Sequence, residues 1–299
     1  MRSYIRYTSF VVVFVFLVVL AGGVVRMTQS GMGCPDWPKC FGMWIPPISA
    51  EQLPDDFEKY LSKQDIDHTF NVYHTWIEYI NRLLGALLGV WILIHLIWTL
   101  RIRKQLPSSV IITSVLMLLG VAFTGWLGKV VVDNNLAVVK ITLHMVAALV
   151  LAVLPMYILN VLKVKTNSVR SYNILWLWFF LLLCLIQLYL GTAVRQEIDM
   201  VSKSMSYSDR GSWIEQLGSV FSIHRTFSWA LLLVSGYVAY KNKFKGIEAL
   251  IFSLVVALFF MGIGFVYLEF PAIIQPIHLL ISMVLITVVA SNIIADKIR

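Results

Sequence analysis

Residues 8–26 read TSFVVVFVFLVVLAGGVVR, an apolar run closed by Gly22-Gly23-Val24-Val25-Arg26. About 20 such residues are what an α-helix needs to cross a hydrocarbon core about 30 Å thick. The ending returns far along the chain as Gly191-Thr192-Ala193-Val194-Arg195, again closing an apolar run. The run predicts a membrane span, and its echo predicts a chain built twice. Arg2 and Arg6 ahead of it and the small residues at its end also outline a secretory signal peptide. The run is longer than the apolar core of such a signal, and a cleaved peptide has no reason to match an internal helix, so it is expected to be retained.

Composition agrees. Of the 299 residues 59% are hydrophobic and 13% charged, with a mean hydropathy of +0.80. A soluble domain of this size cannot hide so much apolar surface, whereas a bilayer solvates it. Segments at about 8–26, 77–100, 109–131, 138–162, 172–194, 218–240, 248–267 and 274–296 are long and apolar enough to span. The expected fold is therefore all-α, a polytopic membrane protein with eight transmembrane helices. Basic residues fall on alternate connections: Arg2 and Arg6; Arg101, Arg103 and Lys104; Lys163, Lys165 and Arg170; Lys241, Lys243 and Lys245; Lys297 and Arg299. The positive-inside rule places these connections, and both termini, in the cytoplasm. The first opposite loop is mixed in charge, with Asp55, Asp56, Glu58, Lys59, Asp65 and Asp67. The net charge of +8 thus reflects topology and gives no reason to expect nucleic acid.

The repeat extends to the polar residues. Asn81-Arg82 in the second span corresponds to His224-Arg225 in the sixth, and His144 in the fourth to His278 in the eighth. The chain reads as two tandem four-helix bundles, residues 1–165 with an outer loop at 27–76, and residues 166–299. An even number of helices per unit gives both the same orientation, a parallel pseudo-twofold repeat that brings the four polar positions to one depth near the outer face. Ionisable groups inside a membrane are costly and mark functional sites or polar contacts between helices. Taken singly, each histidine fits a hydrogen bond between helices. At matched positions, His224 and His278 on facing helices have the arrangement to clamp a haem iron from both sides. Arg82 and Arg225 follow the ligand positions and can pair with a propionate or anchor to lipid headgroups.

The halves differ where it matters. His74, Glu78 and Asn81 form one helical stripe, and the aligned second-half residues are Leu217, Phe221 and His224. Only the first half has a carboxylate beside its candidate cofactor. Glu78 can carry protons, or form an ion pair with Arg82 one turn on. With His144 on one side and the weaker Asn81 on the other, iron there is left open to oxygen. Lys140, one turn before His144, faces a propionate or reaches for the membrane surface. His95 is expected to be structural and His68 solvated. Cys34 and Cys40 flank a Pro-rich turn in the outer loop, where a structural disulfide, a redox dithiol or a transient metal site are the alternatives. Cys184 is expected to be inert.

The Gly22–Arg26 segment with Ser30-Gly31-Met32-Gly33-Cys34-Pro35-Asp36-Trp37-Pro38-Lys39-Cys40, Glu78 and Arg82, His144, His224-Arg225 and His278 resembles the haem A synthase family across essentially all eight spans. The resemblance implies an oxidoreductase that converts the C8 methyl of haem O to a formyl group through hydroxylated intermediates, supplying haem A to terminal oxidases. It implies haem b on His224 and His278 with Arg225 beside it. Substrate haem O would sit near Glu78, His144, Asn81, Arg82 and Lys140. The family commonly has histidine at the position of Asn81, which makes His74 a substitute ligand, and many members carry a second cysteine pair that this chain lacks between Arg195 and Leu217. A bacterial inner-membrane location is implied, with haem O, a haem O synthase, an unidentified electron donor and a second copy of the chain as candidate partners. Two other classes fit part of the pattern: a dihaem b-type electron-transfer cytochrome, which predicts like ligands in both halves, and a haem carrier or chaperone, which needs no proton-handling carboxylate.

Overall fold

The computed structural model describes residues 1–61, 70–134, 136–163 and 174–297. Asp65, Asp67, His68, Lys165, Arg170, Arg299 and the boundary expected at 165/166 lie outside the described residues. The principal helices are α1 (Arg2–Met27), α2 (Val72–Arg101), α3 (Ser108–Asp133), α4 (Val138–Lys163), α5 (Ile174–Ser204), α6 (Ser219–Lys241), α7 (Gly246–Tyr267) and α8 (Ile274–Lys297). Seven are long and apolar enough to cross a bilayer. The eighth, α6, qualifies together with the short 3₁₀ turns before it, from which it bends by 90°. Ser219, Ser222, His224, Arg225, Thr226 and Ser228 crowd its first turns and dilute its apolar character. The protein is a polytopic, all-helical membrane protein, as the internal pairing of every backbone group in lipid requires.

Helix ends depart from the apolar segments because backbone hydrogen bonding does not stop where hydropathy does. α1 starts at Arg2 rather than near residue 8. α5 continues to Ser204, ten residues past its expected end at 194, and at 1.5 Å per residue its roughly 46 Å length exceeds the hydrocarbon core. Its polar final turns are tied by Arg195 to Asp199 at 2.8 Å. α2 starts at Val72 because Asn71 caps it, its side chain accepting from the Tyr73 and His74 amides at 3.0 and 3.3 Å.

The chain forms two compact units, Met1–Leu162 and Lys163–Arg299. In the first, α2 packs between α1 and α3. α4 joins them through a buried apolar cluster that includes Val11, Val15, Ile92, Met117, Ala152 and Ile158. That cluster fills the end of the unit away from the Thr28–Asn71 connection. A polar knot is set within it. His95 is fully buried, with Nε2 3.0 Å from the Thr8 hydroxyl and Nδ1 3.4 Å from the Ser114 hydroxyl. Tyr4 and Thr99 hydroxyls meet at 2.7 Å beside it. Both imidazole nitrogens have partners on neighbouring helices, so His95 ties α1, α2 and α3; such interhelical bonds contribute about 0.6 kcal/mol each.

In the second unit α5 packs on α6, α6 on α7, α7 on α8 and α8 back on α5, closing a ring of four. α6 and α8 therefore stand on a diagonal, each flanked by the same two neighbours. Toward the 205–218 connection, Val194, Ile198, Trp213 and Phe270 form a buried apolar cap.

Candidate haem site

At the loop end of the first unit, the chain after α1 folds down onto the start of α2. Cys34 and Cys40 are joined, and both are wholly buried beneath Phe41, Phe57, Tyr60, Phe70 and Tyr79. Gly33 makes the close approach possible: a Cβ there would lie 2.3 Å from the His74 carbonyl oxygen. The Thr75 hydroxyl donates to the Gly33 carbonyl at 2.9 Å. Of the alternatives for the cysteine pair, a buried disulfide is the one formed. Thiol exchange needs access that these sulfurs lack.

Glu78 and Arg82 hold this loop. The Cys34 amide donates to Glu78 Oε2 at 2.8 Å, and Arg82 donates to Glu78 Oε1 from Nε at 3.1 Å and from Nη2 at 2.6 Å. The remaining guanidinium N–H groups reach the carbonyls of Cys34 at 2.7 Å, Lys39 at 3.0 Å, and Asp36. A guanidinium has five N–H donors, and all five are bound within the protein. The guanidinium expected to meet a propionate or a headgroup is thus engaged by three loop carbonyls and a carboxylate, because the disulfide turn folds over the helix. For Glu78, the ion pair is the arrangement displayed.

Four polar side chains below this loop and in the second unit share an unusual property. Asn81 Oδ1 and the Nδ1 atoms of His144, His224 and His278 are buried without a hydrogen-bond partner, although each residue as a whole is part-exposed. Burying such a group unpaired costs about 1–3 kcal/mol, an expense found at functional sites. Glycines seat the rings. A Cβ on Gly191 of α5 would lie 3.2 Å from His224 Cε1, and one on Gly128 of α3 would lie 3.5 Å from His144 Cε1. Gly22, the repeat partner of Gly191, stands opposite Asn81, with 4.0 Å from its would-be Cβ to Oδ1.

In the second unit, His224 on α6 and His278 on α8 stand on diagonal helices. Two imidazoles on opposed helices, each with one sealed nitrogen, fit a haem held between them. In the first unit Asn81 on α2 and His144 on α4 occupy the corresponding helices with a single imidazole. Arg225 is exposed, its guanidinium 5.8 Å from the Phe221 ring centroid. Lys140 is half-buried one turn from His144. His74 lies two turns from Asn81 toward the loop, about 10 Å along the axis. The reading of the sequence passed over Gln187 of α5, whose side chain donates to the His224 carbonyl at 3.1 Å. A lone glutamine in an apolar helix, one turn from Gly191, was the available signal.

The fold defines a class: a polytopic helical membrane protein with buried imidazole nitrogens inside its helical units. The family model described as Cytochrome oxidase assembly protein (COX15-CtaA) matches residues 5–290, and the chain belongs to that family. It is 30% identical over 200 residues to a Heme A synthase of Bartonella tribocorum, covering 59% of this chain and 53% of the relative. It is 35% identical over 135 residues to that of Bartonella quintana, covering 42% and 36%, and 26% identical over 195 residues to that of Ehrlichia canis, covering 60% and 56%. The chain spans about half the length of the curated relatives it matches.

Proposed function

We propose that the protein is a haem A synthase, oxidising the C8 methyl of haem O to a formyl group. The carrying observation is the unlike pair at one repeat position: His224 against Gly191 in the second unit, Asn81 against Gly22 in the first. Two strong ligands suit a permanently held group, and one suits a substrate that must arrive, react and leave. His224 and His278 would hold haem b, with Arg225 at its edge; haem b supplies one-electron redox chemistry when bound. His144 would hold haem O, with Asn81 across from it and Lys140 one turn away. The Glu78–Arg82 clamp keeps the disulfide loop closed over this end of the unit and excludes water. Glu78 can hand on a proton only when Arg82 releases it, so loop opening and proton transfer are coupled.

The distribution of lysine and arginine supports cytoplasmic termini in a bacterial inner membrane, with the disulfide loop on the oxidising side. Haem O, a haem O synthase, an electron donor and a second copy of the chain are the proposed partners. A dihaem electron-transfer cytochrome calls for like ligands in both units, which Asn81 denies. Co-expression with a haem O source, followed by analysis of the extracted haems, tests the reading: haem A is the expected product. Recovery of haem O and haem b alone would overturn it in favour of a cytochrome or carrier.

A further inference from the structure

Two unpaired polar atoms in the second unit belong to neighbouring side chains. His224 Nδ1 and Gln187 Oε1 are both buried without a partner. Gln187 lies one turn before Gly191 on α5, on the same helical face. The would-be Gly191 Cβ lies 3.2 Å from Cε1, 3.7 Å from Nδ1 and 4.0 Å from Nε2 of the His224 ring, so the Cε1 corner faces α5 with Nδ1 slightly nearer than Nε2. The Gln187 amide nitrogen is already anchored, donating to the His224 carbonyl at 3.1 Å. An unused acceptor and an unused donor thus sit at one helix contact, where leaving both unmade costs about 1–3 kcal/mol for each group.

We propose that Gln187 is a positioning residue for His224, its Oε1 accepting the Nδ1–H bond directly or through one ordered water, so that Nε2 is the nitrogen presented to iron. The inference rests on the haem-binding reading of His224 and adds the device that sets its tautomer. An imidazole that ligates iron through one nitrogen normally donates from the other, which orients the ring and raises its basicity. Gln187 does this while its amide nitrogen holds the backbone of the same residue. One side chain therefore fixes both ends of the ligand against α5.

The first unit supplies an internal comparison. Four residues before Gly22 the chain has Val18, and the residue opposite Gly22 is Asn81. The acceptor is absent where the imidazole is absent.

The test is potentiometric titration of the purified haem-loaded protein as wild type, Gln187→Met and Gln187→Glu, with His224→Ala as a control. A more basic imidazole stabilises the ferric state and lowers the midpoint potential. Methionine keeps the bulk and removes the acceptor, so its potential should rise at unchanged haem stoichiometry. Glutamate keeps an acceptor oxygen in either protonation state, so its potential should stand at or below that of the wild type. Any other order of the three overturns the proposal, including equal values, which is what a purely structural tie between α5 and α6 gives. Where the methionine variant binds no haem, a Gln187→Glu potential below that of the wild type supports the proposal and one equal to it or above it overturns it. Retention of the six-coordinate spectrum by His224→Ala would instead refute the ligand reading on which the proposal rests.

Discussion

The substitution Glu78→Gln separates loop-holding from the proposed haem-holding. The two carboxylate oxygens receive three N–H groups, two from Arg82 on one and the Cys34 amide on the other. The side chains are only 14% and 5% exposed for Arg82 and Glu78, so water does little to replace a lost bond. Glutamine offers one oxygen and one NH2. Whichever way it turns, either Arg82 or the Cys34 amide meets another donor, and the guanidinium loses its counter-charge. Breaking a buried pair costs about 3–5 kcal/mol. At the lower figure, and about 1.4 kcal/mol per decade, local opening of the loop becomes roughly 100-fold more frequent. Hydrogen exchange read by mass spectrometry on the haem-loaded protein should show this at the Cys34 amide, while amides of α6 and α8 keep their protection. On the proposed function, the low-spin spectrum expected from His224 and His278 should persist, and conversion of haem O should stall. An unchanged exchange rate at Cys34 would refute the clamp, full haem A production would refute Glu78's part in turnover, and loss of the second-unit haem would make it a general structural residue.

Replacing His224 or His278 by alanine should each abolish the six-coordinate haem spectrum of the purified protein; survival of the spectrum in both variants would remove the ligand assignment. Gly191→Ala places a Cβ 3.2 Å from the His224 ring, whereas Gly22→Ala finds only Asn81 at 4.0 Å. The first should weaken haem retention and alter its electron paramagnetic resonance signature, and the second should change neither; equal effects would contradict the seating role of Gly191. Peptide mapping under non-reducing conditions should recover Cys34 linked to Cys40, and the bond should resist mild reductant until the loop is unfolded, because both sulfurs are buried. Free alkylation of both residues in intact membranes without reductant would count against it.

Sequence alone determined the class of fold and the approximate position of every long helix. A bilayer imposes one simple demand, about 20 apolar residues per helix, and that demand is written locally in hydropathy. The recurrence of Gly22–Arg26 as Gly191–Arg195 likewise singled out His224, His278, His144 and Asn81, since a repeat is a property of the string. Helix ends were less legible: Asn71 begins α2 by capping it, and α5 runs on through polar turns to Ser204 because its hydrogen bonds continue. What only the tertiary structure decided concerns partners far apart in the chain. Arg82 binds the carbonyls of Cys34, Asp36 and Lys39, and the Cys34–Cys40 bond is buried. Gln187 meets His224 across two helices. Such contacts depend on which faces of separate elements meet and on how closely glycines let them approach, and neither is encoded in the spacing along a single helix.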